Sequence, residues 1–314
     1  MRLSVLDQSP IAEGSNIGEA LRNTIELAQL ADRLGFYRYW LAEHHRAVSL
    51  ACASPEVMIG PVAQATKRIR AGSGGVMLPH YSALKVAENF LMLDGMFPGR
   101  IDLGLGRAPG TSGKVALLLQ RDRRQRPPDD FPDQLEELGN YLKNTGVESY
   151  LLGSSQDSSI WAAERGLPYV FADFIYPGGE PFAAFYRERF APSARRGKPY
   201  VGVCVWSICA ETDAEALRLS LSARMMLLCL FRGQPIVVPP VEKAEEFLRR
   251  EGEPFEMLPP GRRLIAGSPE RVRREIEIVA ANYSADEVFV VNILYDHAAR
   301  MRSYELLARV FELG

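Results

Sequence analysis

The chain has 314 residues, of which 47% are hydrophobic and 24% are charged, a balance typical of a folded globular protein rather than a disordered one. The formal net charge at pH 7 is only −2, which argues against general electrostatic attraction to nucleic acid or to an anionic membrane surface. We therefore expect a small-molecule ligand that is recognised by local groups.

The cysteines Cys52, Cys204, Cys209 and Cys229 show neither the CxxC spacing of a metal or redox site nor the spacing of a disulfide framework. We expect them to be reduced thiols in the cytoplasm. The amino-terminal stretch MRLSVLDQSP has too short an apolar run for a signal peptide, and no run approaches the roughly 18 apolar residues of a membrane span.

Short apolar or β-branched runs bounded by turn residues recur along the chain and predict eight strands. The predicted strands cover residues 3–6, 38–42, 69–78, 101–105, 149–152, 168–172, 200–208 and 287–293. Segments with helical periodicity lie at about 18–34, 55–67, 82–96, 132–143, 158–165, 181–190, 212–230 and 269–281, with a closing helix at 297–312.

This alternation predicts parallel strands joined by crossover helices. Eight units favour an α/β fold of the (β/α)8 (TIM) barrel type, with a doubly wound open sheet as the alternative. We predict a single domain over residues 1–314, with a lid or insertion at 107–131 and a surface excursion at 231–264 that contains a short helix near 241–251. In such a barrel, the loops after the carboxyl ends of the strands carry the chemistry.

The first of these loops carries Glu43, His44 and His45 after an apolar strand. Histidine is the side chain best suited to proton transfer near neutral pH. Consecutive residues of an extended chain point in opposite directions, so His44 and His45 do not readily share a metal ion, and we predict no metal site. The alternative to a catalytic role is that the histidines simply hydrogen-bond to neighbouring loops.

Glycines interrupt the third predicted strand in the stretch AGSGGVMLP. Glycine inside a strand marks either a bulge or a place where a ligand or another backbone comes very close. Gly74, Gly75 and Val76 are therefore either part of a bulge without function or a flat backbone wall for a planar ring.

The glycine-rich stretch at residues 104–114, GLGRAPGTSGK, raises the question of a phosphate site. A triphosphate-binding P-loop fails on spacing, because Ala108 replaces its first glycine and Val115 replaces its hydroxyl residue. A dinucleotide fingerprint is disfavoured by Pro109. Arg107 in this loop can hold phosphate oxygens bidentately or form a surface ion pair. We interpret the basic run at 121–126, which lies beside PPDD, as a solvated loop.

The stretch GSSQDSS after the fifth predicted strand carries four serines where a helix begins. Hydroxyl groups and the unpaired amides of a helix amino terminus can bind an anion. Plain helix capping is the alternative, although a cap requires only one of these hydroxyls.

The motifs LDQSP, RYWLAEHH, GSGGVMLPHYSALKVAE, LDGMFPGRIDLGLGRAPG, LLGSSQDSS and YDHAARMRSYELLA together resemble the bacterial luciferase-like family of flavin-dependent monooxygenases, in particular its small single-chain branch. The resemblance covers nearly the whole chain. It implies a (β/α)8 barrel that binds reduced FMN and, with dioxygen, oxygenates a small organic substrate through a flavin peroxide. It also implies a homodimer formed through helices of the first half of the barrel.

The resemblance further implies how the flavin ring is held. It places a non-proline cis peptide bond between Gly74 and Gly75, which braces the isoalloxazine ring, and makes Val76 and Met77 cofactor-binding residues. His44 corresponds to the histidine that handles the proton beside the reactive flavin carbon. We therefore predict His44 as the catalytic residue.

Arg107, Ser154, Ser155 and Ser158 are implied to hold the FMN phosphate, and Glu88 is implied to place a carboxylate near the ring. The sequence has no convincing nicotinamide fingerprint, so we expect a separate reductase to supply the reduced flavin. It departs from the family at Asp173 and Phe174, where a histidine-containing loop is expected, and in a segment at 111–148 that is shortened.

Two other functions remain open. The first is hydride transfer with the deazaflavin F420, which other branches of the superfamily use. The second is non-catalytic flavin binding, which would retain Arg107 and the serines but would not need His44.

Overall fold

The computed structural model describes residues 1–107, 113–119, 130–252 and 263–314. The predicted basic loop at 121–126 lies outside the described residues, as does most of the predicted lid at 107–131. Part of the predicted surface excursion, residues 253–262, lies outside them as well.

Parallel strands form one nine-stranded sheet. They are β1 (Arg2–Asp7), β2 (Arg38–Leu41), β3 (Arg70–Met77), β4 (Ile101–Gly106), β5 (Glu148–Gly153), β6 (Tyr169–Phe171), β7 (Val201–Cys209), β8 (Leu264–Gly267) and β9 (Glu287–Val291).

Helices lie between the strands along the chain. They are α1 (Ile17–Leu34), α2 (Pro55–Ala65), α3 (Ala83–Met96), α4 (Gly113–Leu119), α5 (Phe131–Tyr141), α6 (Gln156–Glu164), α7 (Glu180–Arg189), α8 (Asp213–Phe231), α9 (Val241–Arg250), α10 (Pro269–Asn282) and α11 (His297–Val310), with a 3-10 turn at Leu78–His80. Within the described part of the chain, none of these helices is long and apolar enough to cross a bilayer.

The sheet closes on itself into a ring of eight strands. β1 to β6 follow one another in sequence order, β6 pairs with β7, β7 with β9, and β9 with β1. The predicted (β/α)8 barrel is thereby confirmed, and the open sheet is excluded.

The ninth strand, β8, pairs with the carboxyl-terminal part of β7, between Trp206 and Cys209. The sequence pattern does not predict it, because the strand has only four residues and lies next to a segment rich in proline and charge. A short apolar run of this kind does not distinguish a strand from a loop.

The segment predicted as a surface excursion contains α9, close to the helix predicted at 241–251. Val238 before this helix is fully buried. Its N–H donates to the carbonyl of Ile11 (2.9 Å), and its carbonyl accepts from the N–H of Glu13 (2.8 Å). This part of the segment therefore packs against the loop that follows β1.

Buried charges close the amino-terminal end of the barrel. Arg38 at the start of β2 places Nη1 2.6 Å from Asp102 Oδ2 and Nε 3.2 Å from Glu287 Oε2, and all three side chains are at most 2% exposed. Charges so deeply buried need such partners, because removing one would leave the others uncompensated. The carboxyl ends of the strands are left for the functional site.

Candidate functional site

The predicted site segments follow the carboxyl ends of β2, β3, β4 and β5, which are neighbours in the sheet. His44 comes shortly after β2, the two glycines lie within β3, Arg107 follows β4 directly, and Ser154 and Ser155 follow β5. Because the carboxyl ends of parallel barrel strands open on the same face, these segments surround one mouth of the barrel.

The glycine pair lies where β3 departs from regular pairing. The peptide bond between Gly74 and Gly75 is cis, as the resemblance implies, and the pairing of β3 with β4 shifts between Ser73 and Val76. A Cβ atom on Gly74 would overlap the side chain of Leu6, and a Cβ on Gly75 would lie 2.7 Å from the carbonyl oxygen of Gly104. Neither position has room for a side chain.

The four residues from Gly74 to Met77 differ in exposure. Gly74 and Met77 are partly exposed, whereas Gly75 and Val76 are buried. Backbone rather than bulky side chains therefore forms this stretch of the strand, and a flat group could approach it closely.

His44 combines partial exposure with a buried ring nitrogen. Its main-chain N–H donates to the carbonyl of Cys52 (3.0 Å), and its Nδ1 atom is buried without a hydrogen-bond partner among the described residues. Burial, and then the neighbouring charge of His45, lower the pKa of His44 to about 4. The imidazole is consequently neutral at neutral pH.

A hydrogen-bonded group that the sequence analysis did not identify lies beside His44. The buried carboxylate of Glu43 accepts hydrogen bonds from the N–H of Met77 (Oε2, 3.1 Å) and from the hydroxyl of Tyr81 (Oε1, 2.9 Å). Nε2 of His45 lies 2.6 Å from the same Oε1 atom. The position of Glu43 directly after an apolar strand was the only signal in the sequence, because Met77 and Tyr81 lie more than thirty residues away.

Arg107 lies against the first turn and the body of α6. Its Nη1 atom is 3.1 Å from Oδ2 of Asp157, and its guanidinium carbon is 5.2 Å from the centre of the Trp161 ring. The side chains of Arg107 and Asp157 are 42% and 56% exposed, so both can be reached by a ligand. The structure therefore brings the arginine into contact with the helix start, two features that the resemblance implies act together.

The predicted serines do not all face the same way. Ser155 is exposed and stands at the N-cap of α6 without accepting a capping hydrogen bond, and Ser154 is half-buried. Ser158 is buried, donates to the carbonyl of Ser155 (2.6 Å) and lies 3.4 Å from the Tyr169 hydroxyl. Ser154 and Ser155 are thus more accessible to an anion than Ser158.

Glu88 is the predicted residue whose position argues against its role. Its side chain is 53% exposed on the surface of α3 and pairs with Lys85, with Nζ 3.3 Å from Oε2. No described contact joins Glu88 to the glycine pair, His44 or Arg107. Residue 88 follows the exposed side of the helix, four positions after the exposed Leu84.

Asp173, where the sequence departs from the family, is fully buried. It accepts a hydrogen bond from the Tyr283 hydroxyl (2.9 Å), and its Oδ2 atom lies 3.5 Å from Nε of Arg263. Burial raises the pKa of this carboxyl group, against the opposing effect of Arg263. Tyr283 belongs to the core between barrel and helices, so Asp173 serves contacts within the protein.

The residues at the barrel mouth fit a phosphorylated flat ring better than a metal ion. No group of histidine, cysteine, aspartate and glutamate among the residues that the structure describes could hold a metal. The close-packed glycine backbone could lie against a flat ring, and the accessible guanidinium of Arg107 beside a helix start could contact a phosphate.

Comparison with known proteins gives consistent results. Residues 1–145 match the family model described as luciferase-like monooxygenase. The chain is 42% identical to the uncharacterized protein YwcH of Bacillus subtilis (strain 168), with 98% of each chain covered. It is 37% identical to a luciferase-like monooxygenase of Escherichia coli (strain K12), with 98% of this chain and 96% of the relative covered. It is also 34% identical to an N-acetyl-S-alkylcysteine monooxygenase of Bacillus subtilis, with 98% and 97% covered.

Solved structures are similar over the whole length. The crystal structure of apo-MsnO8 is 39% identical, with a TM-score of 0.92, and the match covers 100% of this chain and 99% of that one. Two more distant structures share the fold. They are the oxygenating constituent of 3,6-diketocamphane monooxygenase of Pseudomonas putida in complex with FMN (18% identical, TM-score 0.75, 98% of both chains) and an F420-dependent secondary alcohol dehydrogenase (16%, TM-score 0.68, 98% of both).

Proposed function

The chain belongs to the luciferase-like monooxygenase family, and from this premise we propose that it is an FMN-dependent monooxygenase that acts on a small organic substrate with reduced flavin and dioxygen. The observation that carries the choice of FMN is the contact of Arg107 with Asp157 in the first turn of α6, the helix that Ser155 caps. A mononucleotide has a terminal phosphate that this group of residues would bind.

Arg107, Ser154, Ser155 and the first amides of α6 would hold the phosphate. The guanidinium offers a planar pair of donors, and the helix amino terminus adds N–H groups and a favourable dipole. Ser158 remains a candidate, but its hydroxyl would first have to give up its hydrogen bond to the Ser155 carbonyl. Asp157 opposes the phosphate by like charge, which makes it a residue worth testing.

The cis Gly74–Gly75 segment, with Val76 and Met77, would support the flat face of the ring. Reduced flavin supplies the electrons that activate dioxygen. His44 lies at the mouth of the same barrel and, being neutral at neutral pH, would accept a proton at its Nδ1 atom. Burial of this atom keeps the proton transfer away from bulk water.

We also propose a homodimer that forms through α2 and α3. Large apolar side chains are exposed on these two helices: Val57 (66%), Leu84 (45%), Leu91 (38%), Met92 (66%) and Met96 (58%). The four residues on α3 share one exposed side of the helix, where the Lys85–Glu88 ion pair interrupts the apolar stripe that they form. Apolar patches of this kind mark protein–protein contacts. A separate reductase, bound transiently, would supply the reduced flavin.

A titration of the purified protein tests the cofactor. We expect FMN to bind more tightly than riboflavin, which lacks the phosphate, and more tightly than F420, with flavin fluorescence as the readout. A preference for F420 would contradict the proposal and favour hydride transfer. Equal affinity for FMN and riboflavin would show that the phosphate does not contribute to binding and would contradict the proposed phosphate site.

A test of activity requires a candidate substrate. N-acetyl-S-alkylcysteines are the first choice because a relative 34% identical to this chain carries that name. With reduced FMN and isotopically labelled dioxygen, incorporation of label into the product would establish a monooxygenase. The His44→Ala variant should still bind FMN but form product about 10²–10⁴-fold more slowly. Full activity of that variant would exclude His44 as the proton acceptor.

A further inference from the structure

The carboxylate of Glu43 joins the ends of two neighbouring strands. Glu43 follows β2, whereas Met77 ends β3 and Tyr81 follows the 3-10 turn after β3. Oε2 accepts the Met77 N–H at 3.1 Å, and Oε1 accepts the Tyr81 O–H at 2.9 Å. The Glu43 side chain is 0% exposed, so these contacts replace water completely.

The same carboxylate fixes the state of His45. An ionised carboxylate can only accept hydrogen bonds, so we assign the Nε2 atom of His45 as the donor in its 2.6 Å contact with Oε1. Tyr81 remains a donor because burial, and then the negative charge of Glu43, raise the pKa of its hydroxyl. Three donors from separate positions therefore converge on one acceptor group.

This hydrogen-bonded unit lies between the two parts of the site that must be aligned. His44 is enclosed in the chain between Glu43 and His45, so fixing both neighbours fixes the backbone that carries its ring. Met77 lies two residues after Gly75 on β3, so the bond to its N–H holds the strand that carries the glycine wall.

We propose that Glu43 is a positioning residue, whose carboxylate holds His45, Tyr81 and the Met77 backbone as one unit and thereby sets the distance between His44 and the Gly74–Gly75 wall. The proposal rests on the proposed function in one respect, namely that the glycine wall and His44 contact a flavin. The hydrogen-bonded unit itself can be tested without cofactor.

Glu43→Gln is the informative substitution, because it keeps the shape and changes the hydrogen-bonding capacity. The amide offers one acceptor oxygen and one NH2 donor to three donors, so at least one of them loses its partner or, for His45, changes tautomer. Glu56→Gln is the matched control. Glu56 is a nearby, partly buried glutamate on α2, and its Oε2 atom has no hydrogen-bond partner among the described residues.

The experiment has two readouts on the ligand-free protein. The first is the ¹⁵N chemical shift of His45 Nε2, which we expect to show a protonated nitrogen in the wild type and to move toward the unprotonated value in Glu43→Gln. The second is the hydrogen-exchange rate of the Met77 amide, which should rise about tenfold or more in Glu43→Gln, because the lost hydrogen bond involves a charged acceptor. Glu56→Gln should leave both unchanged.

A third readout connects the unit to the cofactor. FMN affinity should fall about fivefold or more in Glu43→Gln, which corresponds to the net contribution of about one hydrogen bond. It should fall less in Tyr81→Phe, which removes a single donor and retains the carboxylate. Unchanged FMN affinity in Glu43→Gln, or an equal loss in Glu56→Gln, would overturn the positioning role.

The outcomes separate the two proposals. If the wild type does not bind FMN, the proposed function fails, while His45 protonation and Met77 exchange still decide whether the unit exists. An unprotonated Nε2 in the wild type would overturn the inference regardless of cofactor binding. Should Glu43→Gln not fold, that wild-type measurement and Met77 exchange in Tyr81→Phe, expected to rise less than tenfold, still test it.

Discussion

The Nη1 atom of Arg107 lies 3.1 Å from Oδ2 of Asp157, which joins the loop after β4 to the first turn of α6. The ion pair is half-exposed, so it contributes little to stability on its own. Its importance is geometric, because it shows that the guanidinium reaches the helix start where an anion would bind. It also means that a phosphate would have to compete with, or sit beside, the Asp157 carboxylate.

Replacing Arg107 with alanine should weaken FMN binding by about 1.5 kcal/mol, or roughly tenfold, because a charged hydrogen-bond donor to the phosphate is lost. Riboflavin lacks the phosphate, and its affinity should not change. Fluorescence titrations with both flavins measure the difference. An equal loss for FMN and riboflavin would show that Arg107 acts on the ring or on the fold.

Replacing Asp157 with asparagine should have the opposite effect and tighten FMN binding severalfold. The substitution removes a negative charge from the place where the phosphate would bind, an effect of about 0.3–1 kcal/mol at a helix terminus. Asp133→Asn is the matched control, since Asp133 is an exposed acid in the first turn of α5. Weaker FMN binding in Asp157→Asn would instead mean that the carboxylate is needed to orient Arg107.

Local patterns in the sequence predicted the elements of the barrel well. The helices α2 and α10 begin at Pro55 and Pro269, where the segments predicted at 55–67 and 269–281 begin. A serine precedes each proline, a common helix-start signal, although neither serine accepts a capping hydrogen bond. The fixed φ of proline is therefore the part of the signal that matters at these two positions. Strand β8 was not predictable in this way, because four apolar residues carry no periodicity.

The contacts within the site depend on how distant loops meet, which the local sequence does not encode. Glu43 and Tyr81 are 38 positions apart, and Arg107 and Asp157 are 50 apart. The sequence could place each residue at the mouth of the barrel, because every strand ends there. It could not indicate that Glu43 would face β3, or that Glu88 would pair with Lys85 on the surface of α3.

The lowered pKa of His44 predicts a pH-dependent loss of stability. The folded pKa, about 4, lies below the unfolded value of about 6.5, so the unfolded chain takes up the proton first as the pH falls. Stability associated with His44 is thus present above about pH 6.5 and is lost between that pH and about pH 4. At pH 5 the loss should be about 1–3 kcal/mol. Urea unfolding at pH 7.5 and pH 5 should show a smaller decrease for His44→Gln, and equal decreases would contradict the shifted pKa.

Close packing of β4 against β3 predicts that Gly104 cannot be replaced. A Cβ atom at this position would overlap the carbonyl oxygen of Ser73 and lie 2.8 Å from Cδ1 of Leu152. Gly104→Ala should therefore lower the free energy of unfolding by about 1–3 kcal/mol. The control is Gly139→Ala in α5, where nothing lies within 4 Å of the added atom and where alanine should stabilise the helix by about 0.5–1 kcal/mol. Denaturant unfolding compares the two, and a Gly104→Ala variant as stable as the wild type would show that β3 can shift.

The exposed apolar stripe on α3 predicts the oligomeric state. Met92 is 66% exposed near the middle of the stripe, between Leu91 and Met96. In a dimer through this face, Met92→Glu would bury an unpaired carboxylate at the interface, which is costly, so the variant should be monomeric. Ile278→Glu provides the control, because Ile278 is 53% exposed on α10, outside the proposed interface, and its replacement should leave the dimer intact. Sedimentation velocity over a range of concentrations distinguishes these cases. A monomeric wild type would contradict the proposed dimer. A dimer that survives Met92→Glu but not Ile278→Glu would show that the interface does not include α3.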